Sequence, residues 1–337
     1  MKVSELGEFG LIELVAEIAA PTQTKQTPAG RNLIIGIGDD AAAWRGDAGV
    51  QLVTVDSFIQ DVHFSLDITP WWEVGWKALA VNLSDIAAMG GLPRYAVVSL
   101  ALPDDTEVSD VLALYQGMTG LAQEFGVAIV GGDTSRSPQV ALNITVLGII
   151  QNHAENMLTR SGAKVGDKVA VTGHLGAASA GWEMLAKKLH FDAGTNARLK
   201  EAFLHPHPRI AEGKLLLECG VKAAIDVSDG LVSDLGHICR ASRLGARIDV
   251  DAVPVDPAVR TGFGEKALEL ALSGGEDYEL LFTGDAGVID KITQTAECPV
   301  TVIGDMVADA ENRVALADRE GNPFKLPSGG WEHFRQR

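Results

Sequence analysis

The chain has 337 residues, enough at roughly 150 per domain for two domains that each bury a core. Apolar residues make up 46% and charged residues 22%, ordinary globular usage that excludes disordered and fibrous folds. Lys and Arg number 28 against 45 Asp and Glu, a net charge of −17, so the chain repels a nucleic-acid backbone, and a phosphorylated ligand calls for divalent cations between the two anions.

The opening MKVSELGEFG does not read as a signal peptide, and no stretch approaches the roughly 18 apolar residues of a membrane span. Residues 9–20 read as an amphipathic helix, followed by a polar linker, PTQTKQTPAG. Strands are expected at 33–37 and 51–56, a long helix at 71–89 and a strand at 95–101. A helix over 107–125 precedes strands at 127–130 and 140–150. After Arg160 the pattern restarts with the turn GAKVGD, the strand KVAVTG and a helix over 175–189. Helices near 208–219 and 230–242 flank a strand at 223–227, and strands near 246–250, 278–283 and 300–304 follow. Strands and helices mix without the strict alternation of a doubly wound sheet, so two α+β domains are expected, residues 1–150 and 151–337. The three cysteines, Cys219, Cys239 and Cys298, form no CxxC pair; they read as small core residues and fit a reducing cytoplasm.

Several carboxylates fall at the ends of apolar strands, mostly in glycine-rich corners: Asp39 and Asp40 in GIGDDAA, Asp56 in LVTVD, Asp133 in IVGGDTS, and Asp226 with Asp229 in AIDVSDG. One such corner is ordinary turn chemistry, but four in one chain suggest rigid platforms for a ligand. Placed at about 100° intervals, Trp72, Trp76, Leu79 and Leu83 form one apolar face of helix 71–89, and Val74, Ala78, Val81 and Ala88 form another. Glu73, Lys77 and Ser84 lie in a polar stripe between them, whereas Asp85 falls on the second apolar face. A carboxylate there costs several kcal/mol unless it meets a cation, a metal or backbone amides.

Gly36-Ile37-Gly38-Asp39-Asp40-Ala41 matches G-x-G-x-x-A, yet only AAAWRGDAGV separates the flanking strands. That segment suits a hairpin rather than a helical crossover, and two Asp stand where pyrophosphate would sit, so a dinucleotide site is rejected. No G-x-x-x-x-G-K-[ST] motif is present. Carboxylates without a Cys/His cluster point to a hard cation, Mg²⁺ above all, and to metal-assisted chemistry on a nucleoside triphosphate. His205 and His207 in HPHPR read as a loop, His237 as a locally satisfied helix residue, and Trp71 and Trp72 as core or interface residues.

Taken together, GIGDDAA, VNLSDIAAMGGLP, GGDTSRS, LTRSGAKVGD, DVSDGLVSDLGHI and SGGEDYELLF resemble the thiamine-monophosphate kinase family of the aminoimidazole-ribonucleotide-synthetase-like ATP-binding superfamily. The resemblance runs from about Glu8 to Phe334. It implies an N-terminal domain whose strands join those of a second copy in an intersubunit β-barrel, hence a homodimer. It also implies a C-terminal α/β sandwich-like domain that completes the site, with ATP and several Mg²⁺ ions bound between the domains. Residue by residue, Asp40, Thr54, Asp56, Asp85, Asp133, Asp226 and Asp229 match metal-binding positions. Gly132, Arg160 and Ser228 match ATP contacts, and His63, Glu276 and Trp331 match contacts to thiamine monophosphate. Two positions depart from the pattern: Val55, where a hydroxyl residue is common, and Asp61, which replaces a glycine two residues before His63.

The implied reaction converts ATP and thiamine monophosphate to ADP and thiamine diphosphate. Its nucleophile is a phosphate oxygen with a second pKa of about 6, so no general base is required. The obstacle is repulsion between polyanions, which Mg²⁺ and Arg160 would offset. An aromatic face such as Trp331 could hold the positive thiazolium. The alternatives are another ATP-dependent synthetase of the superfamily and a non-catalytic protein that stores divalent ions. Selenophosphate synthetase calls for a reactive residue near the start, where this chain has no cysteine before Cys219. An ion store calls for exposed acidic runs rather than carboxylates ending apolar strands.

Overall fold

A computed structural model describes residues 1–6, 8–37, 42–46, 48–151 and 157–326. The chain divides into two compact units: Met1–Ile86 with Gly91–Asn152, and Ala87–Gly90 with His153–Arg337.

The first unit opens with α1 (Val3–Leu6) and α2 (Glu8–Ala19). The polar linker expected next is mostly helical: a 3₁₀ turn over Ala20–Gln23, then α3 (Pro28–Asn32). Thr27 caps α3, accepting from the Gly30 amide, and Pro28 at the first position needs no amide partner. The short strands β1 (Leu33–Ile35) and β2 (Ala43–Trp44) pair antiparallel, so the hairpin forms here rather than between β1 and the strand read at 51–56.

That strand is β3 (Val50–Ile59), followed by α4 (Trp71–Ala88), β4 (Leu92–Leu102), α5 (Val108–Glu124), β5 (Ala128–Arg136) and β6 (Ala141–Ile150). They form a four-stranded sheet in the order β3-β6-β4-β5, antiparallel except for the β4–β5 pair. α4 and α5 pack backbone against backbone. A Cβ at Gly75 would lie 1.8 Å from the Leu114 carbonyl oxygen, and one at Gly117 would lie 1.9 Å from that of Trp72. This contact corrects the polar stripe expected on α4: Lys77 is 1% exposed and Ser84 fully buried.

The second unit continues with β7 (Lys168–Thr172), α6 (Ala177–Ala186), α7 (Ala193–Leu204), α8 (Ile210–Glu218), β8 (Ala223–Asp226), α9 (Leu231–Ser242) and β9 (Gly245–Asp249). It ends with α10 (Pro257–Phe263), α11 (Ala267–Ser273), β10 (Leu280–Gly284), α12 (Ala286–Thr295), β11 (Val300–Val307) and β12 (Val314–Ala317). The sheet order is β12-β9-β11-β7-β10-β8, antiparallel except for β12 on β9. Its apolar side chains, among them Val171, Leu281, Ile225 and Ile248, form one core with those of the helices, such as Leu199, Leu235 and Leu270. The two units are thus mixed α+β, as expected.

One polar node gathers where β7 ends and β10 begins. Arg209, just before α8, donates from its Nε and a terminal nitrogen to the two oxygens of Glu279 at 2.7 and 2.6 Å. Thr172 donates to the same carboxylate at 2.6 Å and accepts from the Leu280 amide. A paired carboxylate with a two-pronged donor is how a charge survives at this depth.

Candidate functional site

In the first unit the two-residue period of β3 fixes the geometry. Leu52 and Phe58 are buried on one face, and Thr54 and Asp56 share it, while Val53 and Val55 point the other way and are 71% and 60% exposed. On the shared face α4 offers Asn82 and Asp85, three apart and so on one side of the helix. Thr54 donates its hydroxyl to the Asp85 carboxylate at 2.5 Å, and the buried Asn82 side-chain oxygen accepts from the Asp56 amide at 3.1 Å. The Asp56 carboxyl hydrogen-bonds that of Asp85. Burial first, and then the Asp85 charge and bond, push its pKa up to about 6. Two carboxyls in contact in a half-buried pocket form a site that gains most from a cation.

Asp56 therefore lies within β3, not at its end. Asp133 likewise lies inside β5, opposite Ser99 of the parallel strand β4, and is exposed; the corner expected there does not form. Strand pairing continues through it because backbone bonds to β4 do not depend on side-chain polarity. Gly132 is set by contact: a Cβ there would lie 1.9 Å from the Val98 carbonyl oxygen.

Beyond β3, Asp61 adopts φ +63°, so it keeps the left-handed conformation a glycine would favour, and its amide donates to the Phe64 carbonyl at 2.7 Å. The turn brings His63 back so that its Nδ1 accepts from the Ile59 amide at 3.1 Å, leaving Nε2 to carry the proton of the neutral ring.

The second unit gathers Asp226, Ser228 and Asp229. Asp226 ends β8 and is 5% exposed. The turn after it is held by a residue the sequence reading passed over, Asp234 of α9. Its Oδ2 accepts from the amides of Ser228, Asp229 and Gly230 at 3.0, 3.1 and 3.1 Å. Burial, with the charges of Asp226 and Asp229, pushes the Asp234 carboxyl up to about 8, against the pull of the amides. Ligand atoms of Asp229, Asp234 and His237 lie within 4.8 Å of one another. His237 Nδ1 lies 3.1 Å from an Arg240 nitrogen, and burial, Arg240 and Arg160 lower its pKa. Arg160 is exposed, and its carbonyl accepts from Ser242. Glu276 donates its amide to the Ser228 carbonyl at 2.8 Å.

The structure thus groups Thr54, Asp56 and Asp85 in one unit and Asp226, Ser228, Asp229 and Glu276 in the other. Asp40 and Trp331 lie outside the described residues. Asn82 and Asp234 both stand inside the motifs VNLSDIAAMGGLP and DVSDGLVSDLGHI. The available signals were a polar residue one turn from Asp85 on the same helix, and an acidic residue in the first turn of the helix that follows Asp226 and Asp229. The other candidates behave as ordinary structure. His205 pairs with Glu201 at 2.8 Å ahead of a loop, and Trp72 stacks on Trp76. Cys239 is buried, Cys219 and Cys298 are half-buried, and all three are free thiols.

Comparison with known proteins matches residues 38–150 to the N-terminal domain, and residues 164–317 to the C-terminal domain, of AIR synthase related proteins. Thiamine-monophosphate kinase of Salmonella typhimurium is 40% identical over 305 residues, 89% of this chain and 91% of that protein. The crystal structure of thiamine-monophosphate kinase from Stenotrophomonas maltophilia K279a superposes with a TM-score of 0.81 at 34% identity, covering 92% of this chain and 96% of that one. AaThiL complexed with AMPPCP and TMP gives a TM-score of 0.76 at 33% identity, covering 99% of both chains.

Proposed function

We propose, on the premise that this chain belongs to the AIR synthase related protein family and is a kinase among its thiamine-monophosphate kinases, that it transfers the γ-phosphoryl group of ATP to thiamine monophosphate, giving thiamine diphosphate and ADP. The observation that carries the reading is the Asp56–Asp85 contact beside Thr54 on the α4 face of β3. A half-buried carboxyl pair that raises Asp56 to about 6 is poor architecture and good cation chemistry. All three side chains offer hard oxygens, which fits Mg²⁺. Relatives named as kinases, one of them complexed with AMPPCP and TMP, support the choice of substrates.

In this reading Asp40, Thr54, Asp56, Asp85, Asp133, Asp226 and Asp229 would hold Mg²⁺, which when bound neutralises phosphate charge. Gly132, exposed on β5, would meet the nucleotide through its backbone, Ser228 offers a hydroxyl, and Arg160 adds a guanidinium suited to phosphate oxygens. His63, Glu276 and Trp331 would hold thiamine monophosphate, with the Trp331 ring under the thiazolium. The acceptor phosphate, with a second pKa of about 6, is already the nucleophile at neutral pH, so these side chains position and shield charge rather than move a proton.

The proposal extends to a homodimer with an intersubunit barrel. β3 is an edge strand, with Val53 and Val55 exposed on its outer face, and such an edge calls for a covering partner. No helix among the described residues is long and apolar enough to cross a membrane, and a cytoplasmic setting completes the reading.

The test incubates the protein with ATP, Mg²⁺ and a panel of acceptors and follows thiamine diphosphate by chromatography. Product from thiamine monophosphate alone, lost in excess chelator, restored by Mg²⁺ and poorly by Ca²⁺, is the expected result. Turnover of a different acceptor with none of thiamine monophosphate refutes it.

A further inference from the structure

The segment Gly274–Tyr278 joins α11 to β10 and carries Glu276. It holds an unusual backbone: Glu276 at φ +69° and Tyr278 at φ +50°, two residues with side chains in the left-handed region, with one residue between them. Each such residue costs on the order of 1 kcal/mol and persists only where its surroundings impose the conformation. One side of the segment is imposed by the turn after β8, because the Glu276 amide donates to the Ser228 carbonyl at 2.8 Å and the Tyr278 amide to that of Val227 at 2.9 Å.

The intervening residue, Asp277, fastens the segment to α6. Its Oδ2 accepts from the Gly176 amide at 2.7 Å and its Oδ1 from the Ala178 amide at 3.2 Å, partners 101 and 99 residues away in sequence. Asp234, by contrast, bonds amides within six residues of itself. Asp277 therefore ties together two elements that chain connectivity leaves independent. Its position also satisfies the first turn of α6, where exposed amides favour a carboxylate.

We propose that Asp277 is a positioning residue for the acceptor substrate: its two bonds to the start of α6 hold Gly274–Tyr278 in its left-handed form and so keep Glu276 against Ser228. This rests on the reading of Glu276 as a thiamine-monophosphate contact. Without those bonds the segment relaxes toward right-handed or extended backbone, and Glu276 leaves its place while β8 and β10 remain paired.

Two measurements on the full chain test it. Amide hydrogen exchange without ligand compares the parent with Asp277→Ala. The variant loses protection at the Glu276 and Tyr278 amides by about tenfold or more, while Leu281–Thr283 of β10 keep theirs. Steady-state kinetics then give a KM for thiamine monophosphate raised about tenfold, with the KM for ATP changed by less than about threefold. Glu276→Ala/Asp277→Ala is no worse than Glu276→Ala alone, because the second change acts through the first. Asp277→Asn keeps one acceptor oxygen and falls between parent and alanine variant; it carries the same measurements if Asp277→Ala does not fold. Unchanged protection at Glu276 and Tyr278, or KM effects that multiply in the double variant, overturns the inference. Should the parent prove inactive on thiamine monophosphate, the functional reading falls, and the exchange measurement still decides whether Asp277 holds the segment.

Discussion

Replacing Asp85 with Asn should stabilise the metal-free protein while removing its response to Mg²⁺. Asp56 has its pKa raised from 3.8 to about 6, roughly two units, and each unit is about 1.4 kcal/mol, so its ionised form costs at most about 3 kcal/mol at neutral pH. Burial is the largest single cause and Asp85 supplies the other two, its charge and its bond, so Asp85 accounts for part of that cost, on the order of 1 kcal/mol. In the variant the amide oxygen still accepts from Thr54, and the amide nitrogen can donate to Asp56 where a like charge stood. The sign follows from linkage: below pH 4 Asp56 is protonated in both folded and unfolded chains and the two proteins differ least. As pH rises from about 4 to 6 the unfolded chain releases this proton first, the parent loses stability, and the advantage of the variant opens and then stays level. Thermal melts in excess chelator should therefore place the variant about 2–4 °C above the parent at pH 7.5. Titrating Mg²⁺ should raise the parent melt and not the variant's, and turnover should collapse in the variant. A variant that melts below the parent in chelator, yet keeps the parental Mg²⁺ response and turnover, would show that the Asp85 charge serves the fold rather than a metal.

Other perturbations probe the scaffold. Arg209→Met leaves the buried Glu279 carboxylate with only the Thr172 hydroxyl among its named side-chain partners and should cost about 3–5 kcal/mol in urea unfolding. Arg209→Lys should recover only part of that, because an ammonium cannot reproduce the two-pronged contact; full recovery would contradict the role given to the fork. Asp61→Gly removes a side chain from φ +63° and should raise the melting free energy by about 0.5–1 kcal/mol, checked by the same unfolding curves. Light scattering at micromolar protein should report twice the 35.6 kDa chain mass; a species at 35.6 kDa alone would remove the dimer. Val53→Lys, on the exposed face of β3, should shift that equilibrium toward single chains.

The elements legible in the sequence were those with a long, clean period. The helix read at 71–89 is α4, and the strand read at 140–150 is β6 within one residue. Three helices have no element in the sequence reading although their starts are written in the chain: Asp192 caps α7, Asp256 precedes Pro257 at the start of α10, and Asp285 caps α12. Reading strands as apolar runs cut β5 short at Val130, whereas the strand continues through Gly131, Gly132 and Asp133 to Arg136. That error turned a mid-strand carboxylate into a corner. The acidic cluster itself was readable, since Asp56 and Asp85 sat in motifs whose residue types carry chemistry. The supporting residues were not, because their partners are remote: Arg209 and Glu279 lie 70 residues apart, and Thr172 and Glu279 lie 107 apart.

The carboxylates of this chain divide by what supplies their hydrogen bonds, and that division is invisible to motif reading. Asp234 and Asp277 look no different in sequence from Asp226 and Asp229, yet backbone amides converge on them, three on one and two on the other. The Asp234 oxygen that accepts three amides has little capacity left for a cation, and each Asp277 oxygen accepts one amide, so both carboxyls shape the backbone around them. Asp56 differs in its partner rather than in the direction of its titration, since burial and neighbouring charge raise Asp234 as well. What meets the Asp56 carboxyl is a second carboxyl, and the nearest relief is an ion from outside. In the turn after β8 the two jobs fall to neighbours: Asp234 holds the backbone, and in the reading proposed above Asp226 and Asp229 face the ligand. The backbone-facing member fixes where the ligand-facing member stands. That arrangement suits a reaction whose acceptor needs no deprotonation and whose barrier is the approach of two anions held in line.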